Sequence, residues 1–317
     1  MTATPLLFTY TADAADAGRV ARARFRELRL TPVVVTAAAL AVVAVAGLVL
    51  DPALAVLALA LGLLAVAVEG VVFLAFLSMA RRTTPVGHTL TIEYLPSALH
   101  LVDPDGEIHY PYASIRDVRA HRDLIALLGS AGNSIHLPVS ACPPEALALV
   151  LAGMREPVIP AIDEERFPHR AHADAAFARA AARRTLAVLV TDATALGFAA
   201  SIPAVGAVLA IVLASPVPAV VAAALLVAWP FAAVLTTRSA MKRRYADEPI
   251  YARFDDDTFT TAHRGEVTRL RYGFFDRIDD SRGAVELRAA VTRQWHLYPA
   301  ALFPADARAR FRAASVS

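Results

Sequence analysis

Long apolar stretches alternate along this chain with short segments in which apolar and polar residues alternate. The longest apolar stretch covers residues 30–80, where residues 30–50 include no charge and residues 52–80 include only Glu69. A helix rises about 1.5 Å per residue and the hydrocarbon core of a bilayer is about 30 Å thick, so each run is long enough to span it. Asp51 and Pro52 form a minimal turn between the runs. The pattern therefore predicts a transmembrane hairpin, with its first helix at residues 33–50.

The same design recurs at residues 185–237. We predict a third helix at residues 193–213, entered at Asp192, and a fourth at residues 219–235. Basic residues flank the outer ends of both hairpins and are absent from both turns, so the positive-inside rule predicts cytoplasmic termini and cytoplasmic polar domains. The flanking residues are Arg81, Arg82, Arg183, Arg184, Lys242, Arg243 and Arg244. Residues 11–30, with five arginines, are either a helix on the membrane surface or a basic flank that only sets orientation.

The pattern changes after each hairpin to short segments with strand periodicity, separated by turn residues. In the first half, strands are predicted at residues 88–94, 98–102, 107–111, 115–120, 124–128 and 134–138, and a helix at residues 145–154. Residues 103–106, Asp-Pro-Asp-Gly, are a strong hairpin signal because proline presets φ and glycine accepts a positive φ. A small curled sheet closed by one helix fits this order of elements.

The two halves of the chain match each other at an offset of about 160 residues, which indicates an internal repeat. Phe8 matches Phe167, Tyr112 matches Tyr272, and residues 134–138 match residues 295–299. The predicted organisation is an N-terminal helix with the first hairpin at 1–82, a β-rich domain at 86–155, a linker at 156–166, an amphipathic helix with the second hairpin at 167–245, and a second β-rich domain at 249–315. The fold class is membrane α plus β, with four transmembrane helices and two small sheet domains.

Each sheet domain carries the pattern Tyr-x-x-(Ile or Phe)-x-x-(Val or Ile) before its later strands, starting at Tyr112 and at Tyr272. Each ends in a strand, then a proline at the start of a helix. With the hairpin and its basic exit, this arrangement resembles the YcxB-like family of bacterial membrane proteins, duplicated in tandem. The C-terminal domains are similar to the bacterial pleckstrin-homology-like fold. The family pattern has tryptophan where this chain has Tyr112 and Tyr272, and the resemblance implies an architecture but no known reaction.

Composition supports a membrane location and excludes several kinds of catalytic and metal site. Hydrophobic residues make up 57% of the chain, the mean hydropathy is +0.49 and the net charge is only +2. The single cysteine, Cys142, excludes an intrachain disulfide and a cysteine zinc site. Gly-rich phosphate loops, serine-nucleophile elbows and zinc-protease helices are absent from the sequence. We therefore predict no catalytic residue, no cofactor, no metal and no nucleic-acid partner.

Candidate polar residues each have a structural and a functional interpretation. Glu69 is predicted near the middle of the membrane, where an acidic residue is taken to be functional by default. We favour the alternative that Glu69 has a structural role and is protonated or hydrogen-bonded within the helix bundle. His169 and His172 are spaced for a metal but are favoured as residues at a helix start. His136 and His296 are predicted at matching strand edges. Residues 255–257, three aspartates, are predicted as a polar turn, and Tyr112 and Tyr272 as packing residues.

These observations predict a non-enzymatic protein of the bacterial inner membrane. It would be multi-pass, with both termini and both sheet domains in the cytoplasm, where the domains bind a protein partner or pack on each other. The alternative is a small transport or proton-linked component that works through Glu69. A cytoplasmic enzyme is the least supported function, and it would gain support if His100, His109, His121 or His136 lay beside carboxylates in one cleft.

Overall fold

The computed structural model describes residues 5–26, 62, 66, 69–70, 72–74, 76–129, 134–155, 159, 161–191, 203, 206–207, 210–211, 214–245, 248–281 and 283–315. The chain divides into two compact units. One, which we call the sheet unit, comprises Met1–Val20, Arg81–Ala181 and Arg238–Ser317. The other, the apolar unit, comprises Ala21–Ala80 and Ala182–Thr237.

Among its described residues, the first half of the sheet unit has seven strands followed by one closing helix. The strands are β1 (Leu6–Thr11), β2 (Thr89–Tyr94), β3 (Ala98–Asp103), β4 (Gly106–Pro111), β5 (Ile115–Ala120), β6 (Leu124–Gly129) and β7 (Ser134–Pro138), and the helix is α1 (Pro144–Arg155). The six strands and the helix predicted for this region are confirmed to within one residue at each end. These segments could be predicted because apolar and polar residues alternate along them and turn residues bound them.

The second half repeats the order of the first. It contains β8 (His169–Ala171), helix α2 (Ala175–Thr191), helix α3 (Val217–Tyr245), then β9 (Ile250–Phe254), β10 (Thr258–His263), β11 (Glu266–Arg271), β12 (Phe275–Ser281), β13 (Ala284–Ala289), β14 (Trp295–Pro299) and helix α4 (Ala305–Ala314). In each half, one strand before the apolar segment pairs with the first strand after it. The fold class is thus mixed α and β with antiparallel sheets.

The two halves share one eight-stranded antiparallel sheet, in the order β1-β2-β3-β4-β11-β10-β9-β8. Each half also has its own three-stranded sheet, β5-β6-β7 or β12-β13-β14. Strands β4 and β11 form the junction: Ile108 lies opposite Thr268, Glu107 opposite Arg269 and His109 opposite Val267. Because Ile108 and Thr268 are equivalent in the repeat, the pairing has a local two-fold axis.

Gly106 allows this close pairing of the two halves. A Cβ atom on Gly106 would lie 2.3 Å from the carbonyl oxygen of Arg269 and 2.8 Å from the side chain of Leu270. The glycine ends the Asp-Pro-Asp-Gly turn, where Oδ1 of Asp103 accepts hydrogen bonds from the backbone N–H groups of Asp105 and Gly106. The turn signal in the sequence therefore also serves the contact between the halves.

Each half has its own hydrophobic core between its two sheets and its closing helix. The first core includes Ile92, Tyr94, Leu127 and Leu137, and the second includes Phe259, Leu287 and Phe311. The prediction that Tyr112 and Tyr272 are packing residues is confirmed, because both are buried. Each begins a short 3-10 helix that leads directly into β5 or β12.

The apolar unit is described in part. Within the described residues, one helical window is long and apolar enough to cross a membrane, Ala222–Ser239 in α3, with a mean hydropathy of 1.3. Helix α3 includes the fourth predicted helix, residues 219–235, and continues through Lys242, Arg243 and Arg244. The first predicted helix, residues 33–50, the turn at 51–52 and Asp192 lie outside the described residues, as do parts of the second and third helices.

Two sequence matches and one assignment change once the register of the strands is known. Phe8 pairs with Ile92 and His169 pairs with Ala252, so Phe8 corresponds to His169 and not to Phe167. His169 lies in β8, which corrects its assignment to a helix start. His136 is the third residue of β7 and Leu297 the third residue of β14, so His136 matches Leu297 and not His296.

Candidate functional site

A cavity in the first half of the sheet unit is the main candidate site. Its volume is about 210 Å³. It is lined by side chains from the core face of the shared sheet, from β6 and β7, from the helical segment at residues 16–26 and from residues 83–84. The polar lining residues are Tyr10, Asp16, Thr83, Thr84, His88, Asp103 and His136, and the apolar ones include Val20, Leu90, Leu101, Ile108, Leu124 and Leu270.

The repeat places a hydrophobic cluster where this cavity lies in the first half. Counting on from the equivalent strand residues Phe8 and His169 aligns Asp13 with Asp174 and Asp16 with Phe177. Phe177 is 0% exposed and packs with Ala180, Ala284, Leu297 and Tyr245. Ala284 corresponds to Leu124 and Leu297 to His136, because each pair holds the same position in its strand.

The helix of the second half lies directly on its sheet. A Cβ atom on Gly283, which has a φ of +95°, would lie 2.6 Å from the backbone of Ala176 at the start of α2. The first half has the exposed Asp123 at the position of Gly283. The cavity therefore arises from several substitutions at equivalent positions, in which polar side chains replace Phe177 and Leu297.

Asp16 is the most buried polar group of the cavity lining, with 2% exposure. Its Oδ1 accepts a hydrogen bond of 2.9 Å from Nε of Arg19, and its Oδ2 accepts one of 2.6 Å from the backbone N–H of Asp13. Arg19 also binds the Asp13 carboxylate, and this hydrogen bond is the main reason that the pKa of Asp13 is lowered. The network fixes Asp16 at the cavity wall.

Two further polar groups lie at the cavity. Nε2 of His88 is 3.9 Å from Oδ2 of Asp103. The hydroxyl of Tyr10 is buried and makes no hydrogen bond within the part of the chain that the structure describes. A buried hydroxyl without a partner carries a free-energy cost that a bound molecule can remove.

A second cluster lies on the opposite, polar face of the shared sheet. His100 bridges two glutamates: Nδ1 is 3.0 Å from Glu93 and Nε2 is 3.3 Å from Glu107. His109 lies on the adjacent strand with its ring centre 6.1 Å from that of His100. Burial lowers the pKa of His109, and the charge of His100 adds to this effect. Glu107 also contacts Arg269 across the junction at 3.4 Å.

This cluster brings His100 and His109 beside carboxylates, and His136 lines the cavity together with Asp16 and Asp103, whereas His121 lies at neither place. Both ring nitrogens of His100 already contact glutamate oxygens, so the arrangement is a cross-strand network of polar contacts. Within the described residues, no group of three or more His, Cys, Asp or Glu side chains could hold a metal ion. The polar turn predicted at residues 255–257 is confirmed, with Oδ2 of Asp255 accepting hydrogen bonds from Arg253 and Thr258.

The site residues predicted from the sequence lie apart from the cavity. Glu69 is half-buried in a helical segment of the apolar unit. Arg81 and Arg82 are exposed at the end of a helical segment, Arg183 is exposed in α2 and Arg184 is half-buried there. Lys242, Arg243 and Arg244 lie in α3. The functional roles of Glu69 and of these basic residues remain predictions.

Sequence reasoning missed both β1 and the cavity. The alternation of Leu6, Phe8 and Tyr10 was a usable signal for a strand, but its partner lies about eighty residues away, beyond the apolar segment. Aligning Asp13 with Asp174 in the sequence would have placed Asp16 at the position of Phe177. No protein-family model, curated protein or solved structure matches this chain.

Proposed function

We propose that this chain is a non-enzymatic protein of the bacterial inner membrane whose cytoplasmic sheet unit binds a small molecule in the first-half cavity. The observation that carries the proposal is the difference between the two halves. Phe177 and Leu297 fill the second half, whereas Asp16 and His136 line a space of about 210 Å³ in the first. An apolar pocket with a few convergent polar groups is the usual form of a small-molecule site.

The exposed apolar side chains of the apolar unit support a membrane location. Large hydrophobic residues are widely exposed there, such as Val66 at 72%, Ile211 at 80% and Phe231 at 67%. Only 6% of the Ala222–Ser239 window is buried. Exposed apolar surface on this scale is unfavourable in water and favourable in lipid. We propose four spans, in two hairpins, with the basic flanks facing the cytoplasm.

The junction of the halves supports the proposal that the two β-rich domains pack on each other. Strands β4 and β11 hydrogen-bond in one sheet, and the ion pair between Glu107 and Arg269 crosses the same boundary. In each half, two small sheets closed by one helix agree with the resemblance to the pleckstrin-homology-like fold. The engagement of His100 by two glutamates supports a structural role for this cluster rather than a catalytic one, because neither ring nitrogen of His100 is available as a base.

The binding proposal is tested by filling the cavity with the residues of the second half. The full chain in lipid nanodiscs is titrated calorimetrically with three phenyl compounds of similar size, phenethylamine, phenethyl alcohol and hydrocinnamate. We expect the wild-type protein to bind at least one of them, and the double variant Asp16→Phe, His136→Leu to bind it at least tenfold more weakly. Thermal unfolding of the double variant checks that it is folded. If it is not folded, the single variant His136→Leu is used in its place.

Binding of none of the three compounds by the wild-type chain would count against the proposed function. Equal binding by the wild-type and the filled protein would also do so, because the heat would then come from lipid or from another surface. The same nanodisc composition is used for both proteins, so that partition of the compounds into lipid cancels in the comparison.

Orientation is tested by labelling single cysteines from outside the cell. Cys142 is buried, so the wild-type background is low. We expect a membrane-impermeant maleimide to label Asp51→Cys in the first turn and to leave the exposed positions Asp123→Cys and Gly273→Cys unlabelled until the cells are opened. External labelling at position 123 or 273 would overturn the cytoplasmic location of the sheet unit.

A further inference from the structure

We infer that the first-half cavity takes a small organic cation, an amine that carries an apolar ring or branched chain. This inference rests on the proposed function and specifies the ligand of the same site. It follows from three features of the lining, namely its charge, its unpartnered hydroxyl and the size of its apolar wall. Each feature restricts a different part of the ligand.

The charged groups of the lining are mostly acidic. Two carboxylates, Asp16 and Asp103, line the cavity, and the described lining residues include no arginine or lysine. Arg19 lies behind Asp16 and is shared with Asp13, so these three groups carry one positive and two negative charges. With Asp103 the surroundings hold a net charge of −2 when His88 and His136 are neutral. This potential attracts a cation and repels an anion.

Hydrogen-bonding groups of the lining suit an ammonium donor. Oδ2 of Asp103 has no backbone donor among the described residues, because the turn N–H groups bind Oδ1, and Nε2 of His88 lies 3.9 Å from it. The hydroxyl of Tyr10 is buried without a partner in the described chain and can accept a hydrogen bond. An ammonium group has three donors and no acceptor, which matches these oxygens.

The apolar wall sets the size of the ligand body. Leu90, Leu101, Ile108 and Leu270 come from the shared sheet and Leu124 from β6. A cavity of about 150 Å³ lined by apolar side chains holds a benzene molecule. The volume of about 210 Å³ therefore accommodates one ring with a short chain that ends in an amine. In the second half the ring of Phe177 fills the equivalent position as part of the protein itself.

The test compares ligands that share a phenylethyl body but differ in charge. Phenethylamine, phenethyl alcohol and hydrocinnamate are titrated into the full chain in nanodiscs of zwitterionic lipid. We expect phenethylamine to bind at least tenfold more tightly than phenethyl alcohol, and hydrocinnamate to bind more weakly than either. Binding of the amine should weaken as salt is raised, because screening reduces the attraction of the carboxylates.

A charge variant tests the same inference at one residue. Asp103→Asn keeps the Oδ1 acceptor of the turn and removes the charge, whereas Asp105→Asn removes a charge from the same turn outside the cavity lining. We expect Asp103→Asn to bind phenethylamine about threefold more weakly, a modest loss because Asp103 is partly exposed. Asp105→Asn should not change the affinity for phenethylamine, and neither variant should change the affinity for phenethyl alcohol.

The outcomes separate the two proposals. If phenethyl alcohol or hydrocinnamate binds as tightly as the amine, and the filled variant abolishes that binding, the ligand class is wrong and the proposed function stands. If none of the compounds binds the wild-type chain, the proposed function fails with it. Equal losses for Asp103→Asn and Asp105→Asn would also overturn the role of the cavity charge.

Discussion

Single residues decide how closely the parts of the sheet unit approach one another. Gly106 lies against Arg269 and Leu270 across the junction, and Gly153 of α1 lies against the ring of Tyr112, where an added Cβ atom would be 2.4 Å from Cδ2. At both positions a methyl group would overlap atoms of a neighbouring residue, so that the neighbour would have to move. Small-to-large changes of this kind destabilise a well-packed protein because the surrounding atoms must move.

Replacing Gly106 with alanine should lower the free energy of unfolding by about 1–3 kcal/mol, because the added Cβ would overlap the carbonyl oxygen of Arg269. The measurement is thermal or denaturant unfolding followed by circular dichroism. Gly273→Ala is the matched control, since no atom lies within 4 Å of a Cβ there. Equal stability of the two variants would contradict the close β4–β11 contact.

His109 should make the stability of the sheet unit depend on pH. Burial lowers its pKa below the ordinary value of 6.5, opposed only in part by Glu93 and Glu107, so the unfolded chain binds a proton more readily than the folded chain. The stabilising effect is therefore present above a pH of about 6.5 and is lost as the pH falls through the lowered pKa. We expect the melting temperature to fall less between pH values of about 7.5 and 5 in His109→Asn than in the wild-type protein. An unchanged difference would show that another group causes the loss.

At the scale of elements, the sequence predicted what local patterns determine. Strands β2 to β7 and helix α1 were predicted because apolar alternation, the Asp-Pro-Asp-Gly turn and the proline at the start of α1 all lie within a few residues. Strand β1 was missed because its identity depends on Tyr94 and other residues beyond the apolar segment. The cavity was missed because it depends on the two-residue change of register, from Phe167 to His169 as the match of Phe8, that aligns Asp16 with Phe177.

The start of α2 provides a test at this scale. Oδ1 of Asp174 accepts a hydrogen bond of 2.7 Å from the backbone N–H of Phe177, which satisfies a donor of the first helical turn. Asp174→Ala should therefore reduce the free energy of unfolding by about 1 kcal/mol, whereas Asp174→Asn should have a much smaller effect because it keeps the acceptor. Chemical denaturation of the two variants side by side gives the comparison, and a loss as large in the asparagine variant would argue against capping.

At the scale of the whole molecule, the β-rich parts of the two sequence halves belong to one compact unit. The division predicted from the sequence gave the two β-rich domains separate boundaries. Their shared sheet could not be predicted, because the sequence of an edge strand does not indicate which strand pairs with it. Within the described part of the chain, four strands from each half form the sheet, with β1 and β8 at its edges. The core of each half is still its own.

Cutting the chain in the linker tests this arrangement. We expect a chain of residues 1–160 and a chain of residues 161–317, produced together in one cell, to purify as a complex in mild detergent through the pairing of β4 with β11. Gly106→Ala in the first piece should reduce the amount recovered, and Gly273→Ala in the second should not. Independent purification of the two pieces would show that the shared sheet does not hold the halves together.

The self-complementary junction has a consequence for the origin of the chain. A protein with a single copy of the repeat would leave the edge of β4 exposed, and two such proteins could join through it as a homodimer, since Ile108 and Thr268 occupy equivalent places. Covalent fusion replaces that concentration-dependent encounter with an intramolecular one. It also removes the requirement of symmetry, so that a mutation can change one copy of the repeat without changing the other. The difference between Asp16 in the first copy and Phe177 at the equivalent position of the second copy is an example.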